Sequence, residues 1–169
     1  MSKITIEDVL KKRFLDGKLK SALDFAAHLR ELELPLKEFE KEEKTYHFDI
    51  EYKGIILCYI HIGKAITVYS SQVPCSWIYW FNDESDIEYT EPVIDEVIKK
   101  AAWKKVRKCK SCGCESAPGI RKKILGKDFD NVCVSALGFR RPTADTDWEC
   151  IKQMVTAMKV DIDNMQRTE

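Results

Sequence analysis

A chain of 169 residues, 44% hydrophobic and 33% charged, with four Trp, six Tyr and seven Phe, holds enough apolar surface for a real core, which excludes a disordered protein. Its 28 basic and 28 acidic residues cancel, and that disfavours a dedicated nucleic-acid binder. No stretch has signal-peptide character or approaches the ~20 apolar residues needed to cross a bilayer, so a cytoplasmic protein with no membrane contact is expected.

Thr5 with Asp8 three residues on reads as a capping box, and Ile6, Val9 and Leu10 supply the first helical stripe. Gly17 breaks that helix. A second starts near Lys18, with Leu19, Leu23, Ala26 and Leu29 on one face, and ends at Leu34-Pro35, where the residue before proline is pushed out of helical angles. The charged residues 37 to 44 read as a loop.

From Thr45 the period changes to two. Tyr46 to Tyr52 alternates apolar and polar, Lys53-Gly54 is a tight turn, and Ile55 to Ile62 is a second strand. Gly63-Lys64-Ala65 turns into a third, Ile66 to Ser70. After Pro74, Trp77 to Phe81 reads as a fourth strand or an aromatic plug. Such short connections predict an antiparallel meander.

Charge is segregated along the next stretch. Seven acids and no base lie between Asp83 and Glu96, while ten Lys or Arg and the single acid Glu115 lie between Lys99 and Lys123. Pro92, the acids after it and Lys104 to Lys108 fit the two ends of a helix over 92–108, with Val93, Val97, Ile98, Ala101 and Ala102 buried. The gradient is then a helix-dipole pattern. Trp103 within the basic run is a nucleic-acid-like feature, but no recognised binding signature accompanies it. Downstream, Lys123 to Leu125 reads as a short strand, Gly126-Lys127-Asp128 as a turn, and Phe129 to Leu137 as a strand. A closing helix, capped by Thr143 or Asp145, carries the stripe Trp148, Ile151, Val155 and Met158.

The fold expected is α+β, one domain over 1–169. An antiparallel sheet of three to five strands packs with N-terminal, central and C-terminal helices over 1–108, and 109–169 adds a Cys-rich turn, a strand and the closing helix.

One stretch proposes a chemistry. In Cys109-x-x-Cys112-Gly113-Cys114, two thiolates two residues apart can point at one ion, and the glycine lets the backbone turn around it. Zinc takes four such ligands in a tetrahedron, and Cys109, Cys112 and Cys114 with Cys133 complete the set. In a reducing compartment, seven clustered and odd-numbered cysteines favour metal or redox work over a disulfide framework. The distal half is a lone Cys133, whereas a zinc ribbon would offer a second pair. An iron–sulfur cluster is compatible with four thiolates. The neighbouring lysines and arginines would also activate redox thiols, through a Cys109–Cys112 or Cys112–Cys114 disulfide. Cys58, Cys75 and Cys150 read as small core residues.

The same residues, with Pro118-Gly119, Ile124-Leu125-Gly126-Lys127-x-Phe129-Asp130-x-Val132-Cys133 and an amphipathic C-terminal helix, resemble a group of small, largely uncharacterised bacterial proteins found mainly in Firmicutes. The resemblance covers roughly residues 20–160, and its specific part is 109–133. It implies that the four cysteines and the Gly-Lys-x-Phe turn form one unit, and it implies no activity.

His28, His47 and His61 show no ligand spacing and read as structural or surface residues. Tyr59, Tyr69, Trp77, Tyr79, Trp80 and Trp103 are dense around the expected sheet, where they either fill the core or line a pocket for a small molecule. No catalytic signature stands out. The function expected is non-enzymatic: a domain with a structural zinc that binds a small molecule or protein partner. A thiol-based redox or metal-regulated sensor is the alternative.

Overall fold

A computed structural model describes residues 5–14, 17–42, 45–72, 75–81, 91–110 and 119–166. The acids Asp83 to Glu88, Pro74, Cys112, Cys114 and Pro118 lie outside the described residues. The chain runs α1 (Ile6–Arg13), α2 (Gly17–Glu31), β1 (Leu36–Glu42), β2 (Thr45–Tyr52), β3 (Ile55–Ile62), β4 (Ile66–Ser70), β5 (Ile78–Trp80), α3 (Glu96–Trp103), β6 (Val106–Lys108), β7 (Ile120–Ile124), β8 (Lys127–Arg140) and α4 (Asp145–Met165). No helix is long and apolar enough to cross a membrane among the described residues.

The architecture is α+β, with every strand pair antiparallel. The sheet is larger than the three to five strands expected: its eight described strands run β1-β2-β3-β4-β8-β7-β5, with β6 also paired to β8. Three features account for the difference. The segment read as a charged loop is β1, an edge strand, where charged sequence guards against unwanted pairing. The end of the expected central helix is β6. And β8 spans 14 residues: Lys127 to Val132 pair with β7, and Gly138 to Arg140 pair with β4.

The hairpin turns explain the registers. Lys53 and Gly54 both take positive φ, 50° and 81°, in the two-residue turn that matches strand twist. Leu125 and Gly126 do the same between β7 and β8, at 46° and 79°, one residue earlier than the turn read from sequence.

The expected capping box is present: Asp8 N–H donates to Thr5 Oγ1, and Thr5 N–H donates to Asp8 Oδ2, both at 3.2 Å. α2 starts at Gly17, one residue before the start read from sequence, and the last two helix starts differ further from expectation. α3 begins at Glu96, because the Asp95 carboxylate accepts from Val97 N–H at 2.7 Å and outcompetes Pro92 as the start signal. Val93 and Val97, expected in the core, are exposed, and only Ile98 and Ala102 of the expected stripe are buried. α4 starts after Ala144 without a side-chain cap, and neither Thr143 nor Asp145 fills that position.

One apolar layer unites both ends of the chain. Ala22, Phe25, Ala26 and Leu29 of α2 and Trp148, Ile151, Met154, Val155 and Met158 of α4 join a cluster with Phe48, Ile50, Ile60, Ile62, Val68 and Phe139 of the sheet. At about 1.5–3 kcal/mol for each large side chain fully buried, this shared face outweighs the helices' own propensities.

The far end of α4 is pinned to the β2–β3 turn. Asp163 accepts from Tyr52 Oη at 2.7 Å and from Lys53 Nζ at 2.8 Å, and Lys159 lies 3.3 Å away. The hydrogen bonds from Lys53 and Tyr52 hold its carboxyl well below the usual carboxylate range. A carboxyl favoured as the anion in the folded state stabilises above its unfolded pKa of 3.8, and that stabilisation fades as pH falls below it. Asp163→Asn is therefore expected to lower the thermal midpoint at pH 7 and to approach the parent protein near pH 2. An unchanged difference between the two pH values would count against this role.

Candidate functional site

Two members of the expected cysteine set are described, and they sit on neighbouring strands. Cys109 follows β6, and its N–H donates to Asn131 O at 2.8 Å, while Asn131 Nδ2 donates back to Cys109 O at 3.2 Å. Cys133 lies two residues further along β8 and is buried. The chain leaves this point after Cys109 and returns to it at Gly119, where a Cβ would lie 2.6 Å from Cys109 Cβ and 2.0 Å from Asn131 Oδ1. Only glycine fits so close an approach. Among the described residues no three His, Cys, Asp or Glu side chains converge on a metal position. From sequence, a zinc on these cysteines acts as a clip that ties the C-terminal end of the helix expected over 92–108 to the strand Phe129–Leu137. The helix ends at Trp103 instead, because Val106 and Lys108 pair with Leu137 and Val132 of β8, so Cys109 joins strand to strand.

The sheet face turned away from the core carries the second concentration of chemistry. Strand alternation places Phe48, Ile50, Ile60, Ile62 and Val68 inward, which turns His47, Asp49, Tyr59, His61, Thr67 and Tyr69 outward, all half-buried. The register aligns Asp49, Tyr59, Tyr69 and Gly138 in one row and His47, His61, Thr67 and Arg140 in the next. The His47 and His61 rings lie 4.3 Å apart, and His61 meets Tyr69 edge-on at 5.4 Å. The Arg107 guanidinium stacks on the Tyr69 ring at 4.5 Å. Burial pushes the Asp49 carboxyl up against the opposing pull of His47, and burial followed by the Asp49 charge raises the Tyr59 hydroxyl.

The six aromatics singled out from sequence go to several places. Tyr59 and Tyr69 share the outer face described above. Trp77 and Trp80 are buried in the core. Tyr79 is outward on β5, edge-on to Phe81 at 5.7 Å. Trp103 Nε1 donates to Ile124 O at 2.8 Å, and Lys127 lies over its ring at 5.1 Å. No family model, curated protein or solved structure matches the chain.

Cys58 and Cys150 are fully buried as expected, and Cys75 is half-buried. Burial pushes the Cys75 and Cys150 thiols up to about 12, which makes them inert. A buried lysine escaped the sequence reading. Lys122 is 0% exposed, its Nζ donates to Val134 O at 3.0 Å and Cys133 O at 3.2 Å, and it lies 4.3 Å from the Trp80 ring centroid. Burial lowers it to about 8, with the Cys133 and Cys75 thiols acting in the opposite direction.

Arg107 escaped too, because it was assigned to a helix. The polar positions of the three strands β2, β3 and β4 carry the signal for the rest of the outer face: His, Asp, Tyr, His, Thr and Tyr at period two are an unusual choice for a purely solvated surface.

Proposed function

We propose that the protein is a non-enzymatic binding domain. Cys109, Cys112, Cys114 and Cys133 hold a structural zinc that fastens β6 to β8, and a ligand engages the outer sheet face at Tyr59 and Tyr69. The observation that carries this reading is the hydrogen-bonded placement of Cys109 beside Asn131, two residues from Cys133. Thiols 24 positions apart in sequence thereby come to adjacent strands. At roughly 3.5 Å per extended residue, three residues of chain cannot carry Cys112 more than about 10 Å from Cys109.

The two halves of the reading are linked. Arg107 is two residues from Cys109 on a strand of only three residues, and it stacks on Tyr69. A zinc at the end of β6 would hold that short strand against β8, and with it the arginine over the outer face.

Metal analysis with free-thiol counting on protein purified without reductant tests the zinc. One zinc per chain with four protected thiols is expected, and a chelator or Cys112→Ser should destabilise the fold by several kcal/mol, in the way zinc-dependent domains respond. Metal-free protein that melts unchanged would remove the clip. A reversible Cys109–Cys112 or Cys112–Cys114 disulfide would replace it with the thiol redox reading.

A further inference from the structure

We propose that Arg107 is an oxyanion-binding residue, and that the outer sheet face takes a small molecule carrying a carboxylate or phosphate on an aromatic ring. This rests on the sheet-face part of the reading above and adds the class of ligand. A guanidinium has five N–H donors in a fixed fork. Arg107 uses one of them in a long 3.4 Å bond to Ser135 O, and no carboxylate among the described residues pairs with it. It is nevertheless half-buried and held in place, with its Cζ over the Tyr69 ring at 4.5 Å and the bare backbone of Gly138 beside its stem. A Cβ at Gly138 would lie 2.6 Å from Arg107 Cδ and 3.1 Å from Tyr69 Cδ1, so the glycine makes room for the arginine stem beside the Tyr69 ring. An arginine held in place with most of its donors unspent among the described residues is preorganised for a planar, bidentate acceptor.

The surroundings select the rest of the ligand. Tyr59 stands opposite Tyr69 in the β3–β4 register and offers a neighbouring aromatic surface to a ring attached to the anion. Arg140 in the adjacent row adds positive charge. The one carboxylate in the Tyr59 row, Asp49, lies on β2, at the end of the row away from Arg107. The charge on this face therefore favours an anion at its Arg107 end.

Isothermal titration of the zinc-replete full chain at pH 7 with phenyl phosphate, benzoate and inorganic phosphate tests the proposal. Saturable binding of phenyl phosphate and benzoate is expected, with phenyl phosphate tighter than inorganic phosphate. Arg107→Gln should weaken it by about 10- to 100-fold, with a smaller loss in Arg107→Lys, since the lysine keeps the charge and loses the fork. Gly138→Ala, which displaces the arginine without removing it, should also weaken binding. The absence of saturable binding by either aromatic anion would overturn the proposal, and so would parental affinity in Arg107→Gln. Equal affinity for inorganic phosphate would remove the ring contact. Zinc content and urea midpoint, measured on the same samples, separate a failed anion site from a failed clip or a misfolded variant.

Discussion

Lys122→Ala is expected to lower the unfolding free energy by about 3 kcal/mol, whereas Lys122→Met should stay within about 1 kcal/mol of the parent. The alanine leaves a void where three methylenes and the ammonium packed and strips the Cys133 and Val134 carbonyls of a buried donor. The methionine fills the void, and losing the same hydrogen bonds is offset by removing a charge that burial disfavours. Urea unfolding at pH 7 measures both. If the two variants lose equally, the ammonium itself supplies the stability and this account fails.

The pH dependence makes the point independently. Lys122 falls from 10.5 in the unfolded chain to about 8 in the fold. Between those values the unfolded chain binds more protons, so the parent should gain stability relative to Lys122→Met as pH rises through that window, by on the order of 3 kcal/mol in total. The raised thiols of Cys75 and Cys150 act in the opposite sense above pH 9, since there the folded state holds more protons. The Cys150 thiol acts alike in both proteins, whereas Lys122 itself lowers the Cys75 thiol, so the part of the difference above pH 9 belongs to the Lys122–Cys75 pair.

Asp147→Ala is the second large effect, expected to cost about 3 kcal/mol. Asp147 accepts from Lys105 Nζ at 2.7 Å, and the two side chains are only 11% and 23% exposed. Removing the carboxylate leaves the Lys105 ammonium against the Phe139 ring without its counter-charge. It also removes negative charge from the first turn of α4, a helix that lacks a side-chain cap. The double variant Lys105→Met/Asp147→Leu should recover most of the loss, because a well-packed apolar pair replaces an ion pair at little net cost. A double variant no more stable than Asp147→Ala would show that the carboxylate matters for some reason other than the pair.

What was legible in the sequence was whatever local chemistry decides. The capping box at Thr5, the Lys53-Gly54 turn, the alternation over 45–70 and the stripe of α4 all depend on neighbours within a few residues. What was not legible depends on distant partners. β1 is charged along its length and gains strand structure only by pairing with β2. Val106 to Lys108 follow a good helix pattern, but β8 offers them a ladder, and the ladder wins. Lys122 falls just outside the strand read over Lys123 to Leu125, and its place on the buried face with Ile124 shows only once β7 is laid under the carbonyls of β8. The candidate site divides the same way. The cysteines were visible as a motif, and Tyr59 and Tyr69 as aromatics. Arg107 acquires its meaning only when Gly138, 31 positions later, is laid beside it.

The pairing of β4 with the last residues of β8 sets a timetable for synthesis. Ser70 leaves the ribosome about 70 residues before Arg140, an interval of about 4–14 s at 5–20 residues per second. Throughout that interval the β2–β3–β4 meander is complete apart from its β4 edge, and the backbone of Thr67 to Tyr69 is presented without its eventual neighbour. The nascent chain therefore carries an open strand edge for several seconds before its own C-terminal third arrives to cover it. In a polysome, where copies of the same edge are held close together, that interval is when this fold is most exposed to pairing with the wrong chain.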